Sequence, residues 1–391
     1  MNSKIFFSLF ILAFLTTGCI SEYNAELPSS DLQILFVDGS IIENSNVKFY
    51  LSKSVPLNSA SVSSGNINAN LSIIGSNGYE SLPAINLGKG EYILSVGELD
   101  NNVEYGIQIE YEGDIYQSTL AKPLHTPEID SVSWVQPEEK GNVFFRVSTH
   151  DDTGKAKFFL WDYVEDWEFT AYYKTTCFYD PVRRSFYEDL SEPYFYCWKN
   201  NKSKKYFIGS TESLSENRII NKQIYTCYPG NDRFFVLYSV NVQQKAISKS
   251  AFEYYQNKIV MNEEMGGLFT PQPSEMTGNI TCITDPSKKV MGYVEAVKNV
   301  TEKRKFVYPN QITRPTVSSD CTTISSDSIM SLFPRSEYPN PYVAAYEARY
   351  RPVGDLLFTI ENIPWTIINC VECTANGGSK KKPDFWPNDH E

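Results

Sequence analysis

The sequence predicts a mainly β protein: tandem β-sandwiches of the immunoglobulin/fibronectin-like kind, one short helix and an irregular β-rich C-terminal region. Three observations carry this. Apolar and polar residues alternate over many short stretches, glycine, asparagine and aspartate turns separate those stretches, and only one segment has clear helical spacing. With 391 residues, 41% of them hydrophobic and 14% aromatic, the chain has material for two or three packed domains.

The first element is a leader. Lys4 precedes an apolar run from Ile5 to Leu15, too short to be a comfortable permanent span, and small residues follow up to Gly18-Cys19. Residues 1–18 resemble a bacterial lipoprotein signal, which implies that Cys19 becomes the lipid-bearing first residue of the mature chain. The alternative is an ordinary secretory signal with an incidental cysteine. Both take the protein out of the cytoplasm. No other apolar stretch is long enough for a membrane helix, so attachment is expected through lipid alone. Residues 19–30 read as a polar tether. Losing the signal's single lysine takes the formal charge from −12 to −13, which argues against nucleic-acid binding.

An N-terminal β-sandwich is expected over 31–122. "DLQILFVDGS", "NVKFYLS" and "GKGEYILSVGEL" read as strands. In "NNVEYGIQIEYEGDIYQS", Val103, Tyr105, Ile107, Ile109 and Tyr111 share a face, and a turn over 112–114 precedes Ile115 and Tyr116. The proline-marked "KPLHTPEIDSVSW" then links to a second sandwich over 126–262, with an aromatic-rich middle and a terminal helix. In that helix Phe252, Tyr255 and Ile259 fall at helical spacing, and Ser250 with Glu253 fits a capping box. The remainder, 263–391, is expected as β-rich structure packed on the second sandwich.

Few residues suit catalysis. The three histidines, His125, His150 and His390, fall in a linker, a turn and the tail, without motif partners for a triad or a zinc site. An EF-hand starting at Asp151 fails because its fifth position is Lys155. Glu165, Asp166, Glu188 and Asp189 could form a glycosidase pair only if folding brought two together. They lie in the most aromatic stretch, where Trp161, Trp167 and Trp198 are candidate ligand or partner contacts and otherwise core. No cofactor and no metal is expected.

Seven cysteines remain after Cys19. Cys370 and Cys373 form a Cys-x-x-Cys pair, but a second knuckle for zinc is absent, and the segment runs from an apolar strand into a glycine turn rather than into a helix. Outside the cytoplasm structural disulfides are the default. Cys282, Cys321, Cys370 and Cys373 are expected to pair among themselves, and Cys177, Cys197 and Cys227 to give one bridge and one free thiol. Lys380-Lys381-Lys382 reads as a solvated loop.

Several ordered motifs carry a family resemblance: "AISKSAFEYYQ", "GGLFTPQPSEMTGNITCITDPSKKVMGYVEAV" and "CVECTANGGSKKKPDFWP", with "FFLWDYVEDWEF" and "YCWKN…IGSTESLSENRI" resembling the family's middle region. Together they resemble domain-of-unknown-function family 4249, outer-membrane lipoproteins of Bacteroidota-type bacteria. The resemblance implies a lipid-anchored, surface-exposed protein of the outer membrane, and an association with a TonB-dependent receptor in nutrient uptake. It supplies no catalytic residues. The expected function is therefore a non-enzymatic accessory or binding component whose ligand is unknown. A free-standing adhesion or glycan-binding lipoprotein is the alternative, and a hydrolase stands third.

Overall fold

The computed structural model describes residues 34–54, 67–191, 193–264, 278–316, 320–355 and 362–387. The signal, Cys19, the tether and His390 lie outside them. In chain order the first strands are β1 (Leu35–Asp38), β2 (Ile41–Ile42), β3 (Ser45–Lys53), β4 (Asn70–Gly75), β5 (Ile85–Gly88), β6 (Glu91–Val96), β7 (Tyr105–Tyr111) and β8 (Asp114–Ser118). There follow β9 (Ile129–Val135), β10 (Val143–His150), β11 (Phe158–Thr170), β12 (Cys177–Asp180), β13 (Ser185–Glu188), β14 (Tyr196–Lys202), β15 (Phe207–Ser210), β16 (Arg218–Cys227) and β17 (Leu237–Ile247). Helix α1 (Lys249–Glu264) precedes β18 (Ile280–Cys282), β19 (Val290–Tyr293), β20 (Ala296–Val297) and β21 (Thr301–Val307). Helices α2 (Ser326–Leu332) and α3 (Pro341–Glu347) and the strands β22 (Tyr350–Pro352) and β23 (Trp365–Ile367) complete the chain. The protein is mainly β, as its patterning predicts.

The first sandwich packs the sheet β19-β1-β3-β6-β5 on the sheet β18-β8-β7-β4. Alternation sets which side chains face inward: Val103, Tyr105, Ile107, Ile109 and Tyr111 are all buried. The β7–β8 turn is tight because Glu112 and Gly113 both take positive φ, the conformation that matches strand twist in a two-residue hairpin. Two of this sandwich's strands arrive late in sequence. β19 pairs parallel with β1, and β18 pairs antiparallel with β8. Ile280, Cys282, Val290, Val294 and Ala296 join the same core. The expectation that 263–391 packs as one region on the second sandwich is thus corrected. Residues 278–297 close the first sandwich, a long-range pairing that local patterning cannot reveal.

The second sandwich sets β16-β10-β9 against β14-β11-β17-β21, with β15 also pairing β11. Phe145, Val147, Phe159, Trp161, Tyr163, Tyr238, Val240 and Val242 fill the space between the two sheets. Strand β11 is thirteen residues long and nearly all buried, because both of its faces are covered. Its odd-numbered side chains enter the sandwich core. On the even face, Phe158 and Leu160 meet α1 through Ala251, Tyr254 and Tyr255. Helix α1 begins one residue before the expected box. Ser248 is its cap, Oγ accepting from Ala251 N at 3.1 Å, while Glu295 accepts from Ser248 N at 2.9 Å.

A third, smaller unit gathers the β12–β13 hairpin, α2, α3 and the β22–β23 pair around Tyr179, Ile329, Ala345 and Trp365. The C-terminal region therefore holds two short helices besides its small strands, where only irregular β-structure is expected. Asn340 explains one of them: its side chain accepts from Tyr342 N and Val343 N, with Pro341 at the first helical position.

Two disulfides fasten this unit. Cys370 bonds Cys321, and Cys373 bonds Cys197 on β14. Cys177, Cys227 and Cys282 are free and buried. The expected pairing is corrected on two points. Cys282 lies in the first sandwich, away from the other three, and Cys197 crosses to the C-terminal segment instead of pairing with Cys177 or Cys227. The two cysteines of the Cys-x-x-Cys pair diverge to different partners, so they work as two fasteners rather than one centre. Gly378 belongs to the same joint: a Cβ there would lie 2.5 Å from Cys197 Cβ.

Candidate functional site

Beyond the second bridge the chain lies across the outer face of the β14-β11-β17-β21 sheet. Ser379 and Trp198 exchange backbone hydrogen bonds of 2.8 Å each, which adds the segment to the edge of β14. Seven residues on, Trp386 is buried against Trp198 and Leu237, and its Nε1 donates to Glu168 Oε2 at 3.0 Å. Phe385 lies over the Arg304 guanidinium at 3.5 Å. Between these anchors the strap leaves a cavity of about 650 Å³, lined by Asp166, Trp198, Lys199, Asn200, Lys381, Lys382, Asp384 and Phe385 among others. That volume falls within the range of small-ligand sites.

The chemistry of the cavity is that of a holder. Trp198 is nine-tenths buried, and its indole Nε1, itself closed to solvent, has no acceptor among the described residues. A buried N–H without a partner costs about 1–3 kcal/mol, and because this one is closed to solvent it offers no contact to a molecule in the open cavity. Lys199 is held by Asp232 at 2.6 Å and by the Phe169 ring. Asp166 is held by Arg304 at 2.9 Å. Asn200, Lys381, Asp384 and Phe385 are exposed at the rim.

Of the three tryptophans proposed as contacts, only Trp198 reaches this cavity. Trp161 is fully buried and donates to Gln244 Oε1 at 2.8 Å, and Trp167 is buried beneath the Arg233 guanidinium. Both are corrected to core residues, because odd positions of β11 point between the sheets. The strap residues Lys381, Lys382, Asp384 and Phe385 escape a reading of the sequence, since a short lysine run looks solvated. The signal that could find them is the Cys373 fastener a few residues upstream.

The carboxylates are spoken for. Glu165 accepts from Arg233 Nε and Nη2 at 3.0 and 2.9 Å, from Asn201 at 2.7 Å, and from Tyr225 and Tyr238 at 2.8 Å each. Burial pushes its carboxyl up, but Arg233, Asn201 and Tyr225 outweigh burial and hold it below its ordinary value. Asp189 binds the Ser191 hydroxyl and backbone N–H, and Glu188 is exposed on β13. His150 at the end of β10 contacts Asp130 through Nδ1 at 2.6 Å, and His125 is exposed. Asp151 folds back on its own loop, accepting from Thr153 and from Ala156 N. Among the described residues no group of three His, Cys, Asp or Glu side chains could hold a metal ion. Nor is any described helix long and apolar enough to cross a membrane.

Comparison with known proteins gives a family model for residues 20–304, described as a domain of unknown function, DUF4249. Among curated proteins nothing matches. One solved structure with a likeness is a two fibronectin type-III domain segment from chicken tenascin, 11% identical, covering 53% of this chain and 88% of that one. Its TM-score of 0.15 lends the likeness no weight in argument.

Proposed function

The chain belongs to the DUF4249 family, and from that premise we propose that it is a lipid-anchored outer-membrane protein that binds a ligand and works with a TonB-dependent receptor in nutrient uptake. The observation that carries the binding part is the strapped cavity, rimmed by the exposed side chains of Asn200, Lys381, Asp384 and Phe385. The lipoprotein-like leader ending at Cys19 supports the location, and the family resemblance supports the receptor. The ligand-facing groups are donors and rim charges, while the nearest buried carboxylates are tied to arginine or tryptophan. This arrangement favours holding a molecule over transforming it.

Affinity purification from detergent-solubilised membranes tests the reading. Recovery of a β-barrel receptor at stoichiometric yield is expected, and repeated recovery of the protein alone would sink the receptor assignment. The free-standing glycan-binding alternative draws on the same cavity, where Phe385 is exposed beside polar groups. It predicts glycan-array binding that is lost in Trp198→Ala and proceeds without any receptor.

A further inference from the structure

A second cavity, of about 610 Å³, lies where the first sandwich, the β15–β16 region and α1 meet. Lys204, Lys205, Lys222 and Lys258 line it, opposed by the single carboxylate of Asp38. Its lining therefore nets three positive charges in a chain whose formal charge is −12. Among the described residues, none of the four lysines has a carboxylate within ion-pairing distance. Some other cations of the protein are closely paired, as in Lys199 with Asp232 and Arg351 with Glu372. Gathering unpaired like charges around a concavity is unfavourable in the empty protein, and the repulsion is relieved by an anion placed among them.

The rest of the wall is aromatic and apolar: Tyr206, Phe207, Ile208, Tyr255 and Ile259. Lys258 is fixed rather than trailing in solvent, its Nζ 5.2 Å from the Tyr206 ring centroid and 6.0 Å from that of Tyr255. The Tyr206 hydroxyl points to Asp38 Oδ2 at 3.5 Å, which occupies the one acid in the wall. Lysine charge and aromatic surface in one cavity call for a ligand with both features.

We propose that this cavity binds a small anionic sugar, a ring whose flat face packs on the tyrosine wall while its acidic groups meet the four lysines. The volume suits a short saccharide and excludes a nucleic-acid duplex. The site is separate from the strapped cavity, so it stands whether or not that cavity is occupied.

Isothermal titration of the purified protein tests it with three probes: a heparin-derived disaccharide carrying sulfates, a sugar bisphosphate, and neutral lactose. At least one charged probe is expected to bind about tenfold or more tighter than lactose, and more weakly as salt is raised. Which charged probe binds better identifies the acidic group. Lys204→Gln combined with Lys258→Gln should weaken that binding about tenfold, whereas Lys48→Gln, a surface lysine of β3 paired to Glu91, should leave it unchanged. Lys222→Gln, exposed on β16, gives a variant whose folding is not at risk and should weaken binding about threefold. Failure of both charged probes, equal binding of lactose, or full affinity in the lysine variants would overturn the proposal.

Discussion

Arg233→Met is the sharpest test of how the second sandwich is held. Glu165 sits between the sheets at 1% side-chain exposure, and Arg233 covers it from the margin at 22%. Removing the arginine leaves a carboxylate where water cannot reach it, a change that costs about 3–5 kcal/mol in buried pairs. The Trp167 ring also loses its cation at 4.4 Å, which adds to the loss. Glu165→Gln should cost less, about 2 kcal/mol, because it removes the buried charge and leaves Arg233 partly hydrated. The double variant should cost less than the two single changes together.

The pH arm has a definite sign. Glu165 is held below its ordinary value, so its contribution is present above 4.5 and is lost as pH falls through the lowered folded value. Without Arg233, burial is left as the leading influence and pushes the carboxyl up, so acid relieves the variant. The gap between wild type and Arg233→Met should therefore narrow as pH falls below about 5. Urea unfolding followed by tryptophan fluorescence reads the second sandwich and the C-terminal unit without the first sandwich. All six tryptophans (134, 161, 167, 198, 365 and 386) lie outside the first sandwich. An Arg233→Met loss below about 1 kcal/mol, a greater loss in Glu165→Gln, or a gap that widens in acid would refute the reasoning.

Other outcomes follow from the same physics. Burial raises the Asp162 carboxyl, and its Oδ1 has no partner among the described residues, so its contribution is complete below 3.8 and lost as pH rises through the folded value. Asp162→Asn should therefore stabilise by about 1 kcal/mol at neutral pH, with the gain fading in acid, as read by urea titration at two pH values. Gly292 has φ +152°, and a Cβ there would lie 2.2 Å from the Val37 carbonyl oxygen. Gly292→Ala should loosen the β1–β19 pairing and lower stability by about 3 kcal/mol, seen as an earlier far-UV circular-dichroism transition. Non-reducing peptide mapping should link Cys197 to Cys373 and Cys321 to Cys370, with thiols at Cys177, Cys227 and Cys282. Cys19→Ala should shift the protein from the membrane to the soluble fraction, and unchanged membrane retention would count against the lipid anchor.

Local chemistry in the sequence determined the β class, the turns and the faces of individual strands. The Val103-to-Tyr111 alternation and the positive-φ turn at Glu112-Gly113 are properties of neighbouring residues, so they are legible without a structure. So is the α1 segment, apart from its cap, which shifted by two residues to Ser248 because Glu295 from a distant part of the chain takes its N–H. What needed the tertiary structure is everything set by contact across long separations. Residues 278–297 return to the first sandwich, Cys197 finds Cys373, and Trp161 and Trp167 turn inward because both faces of β11 are covered. The strapped cavity is of the same kind, since Trp198 is separated from Lys381 and Phe385 by most of the second half of the chain. Sequence periodicity records which face of a strand is apolar; which surface will cover that face is decided only when the sheets close.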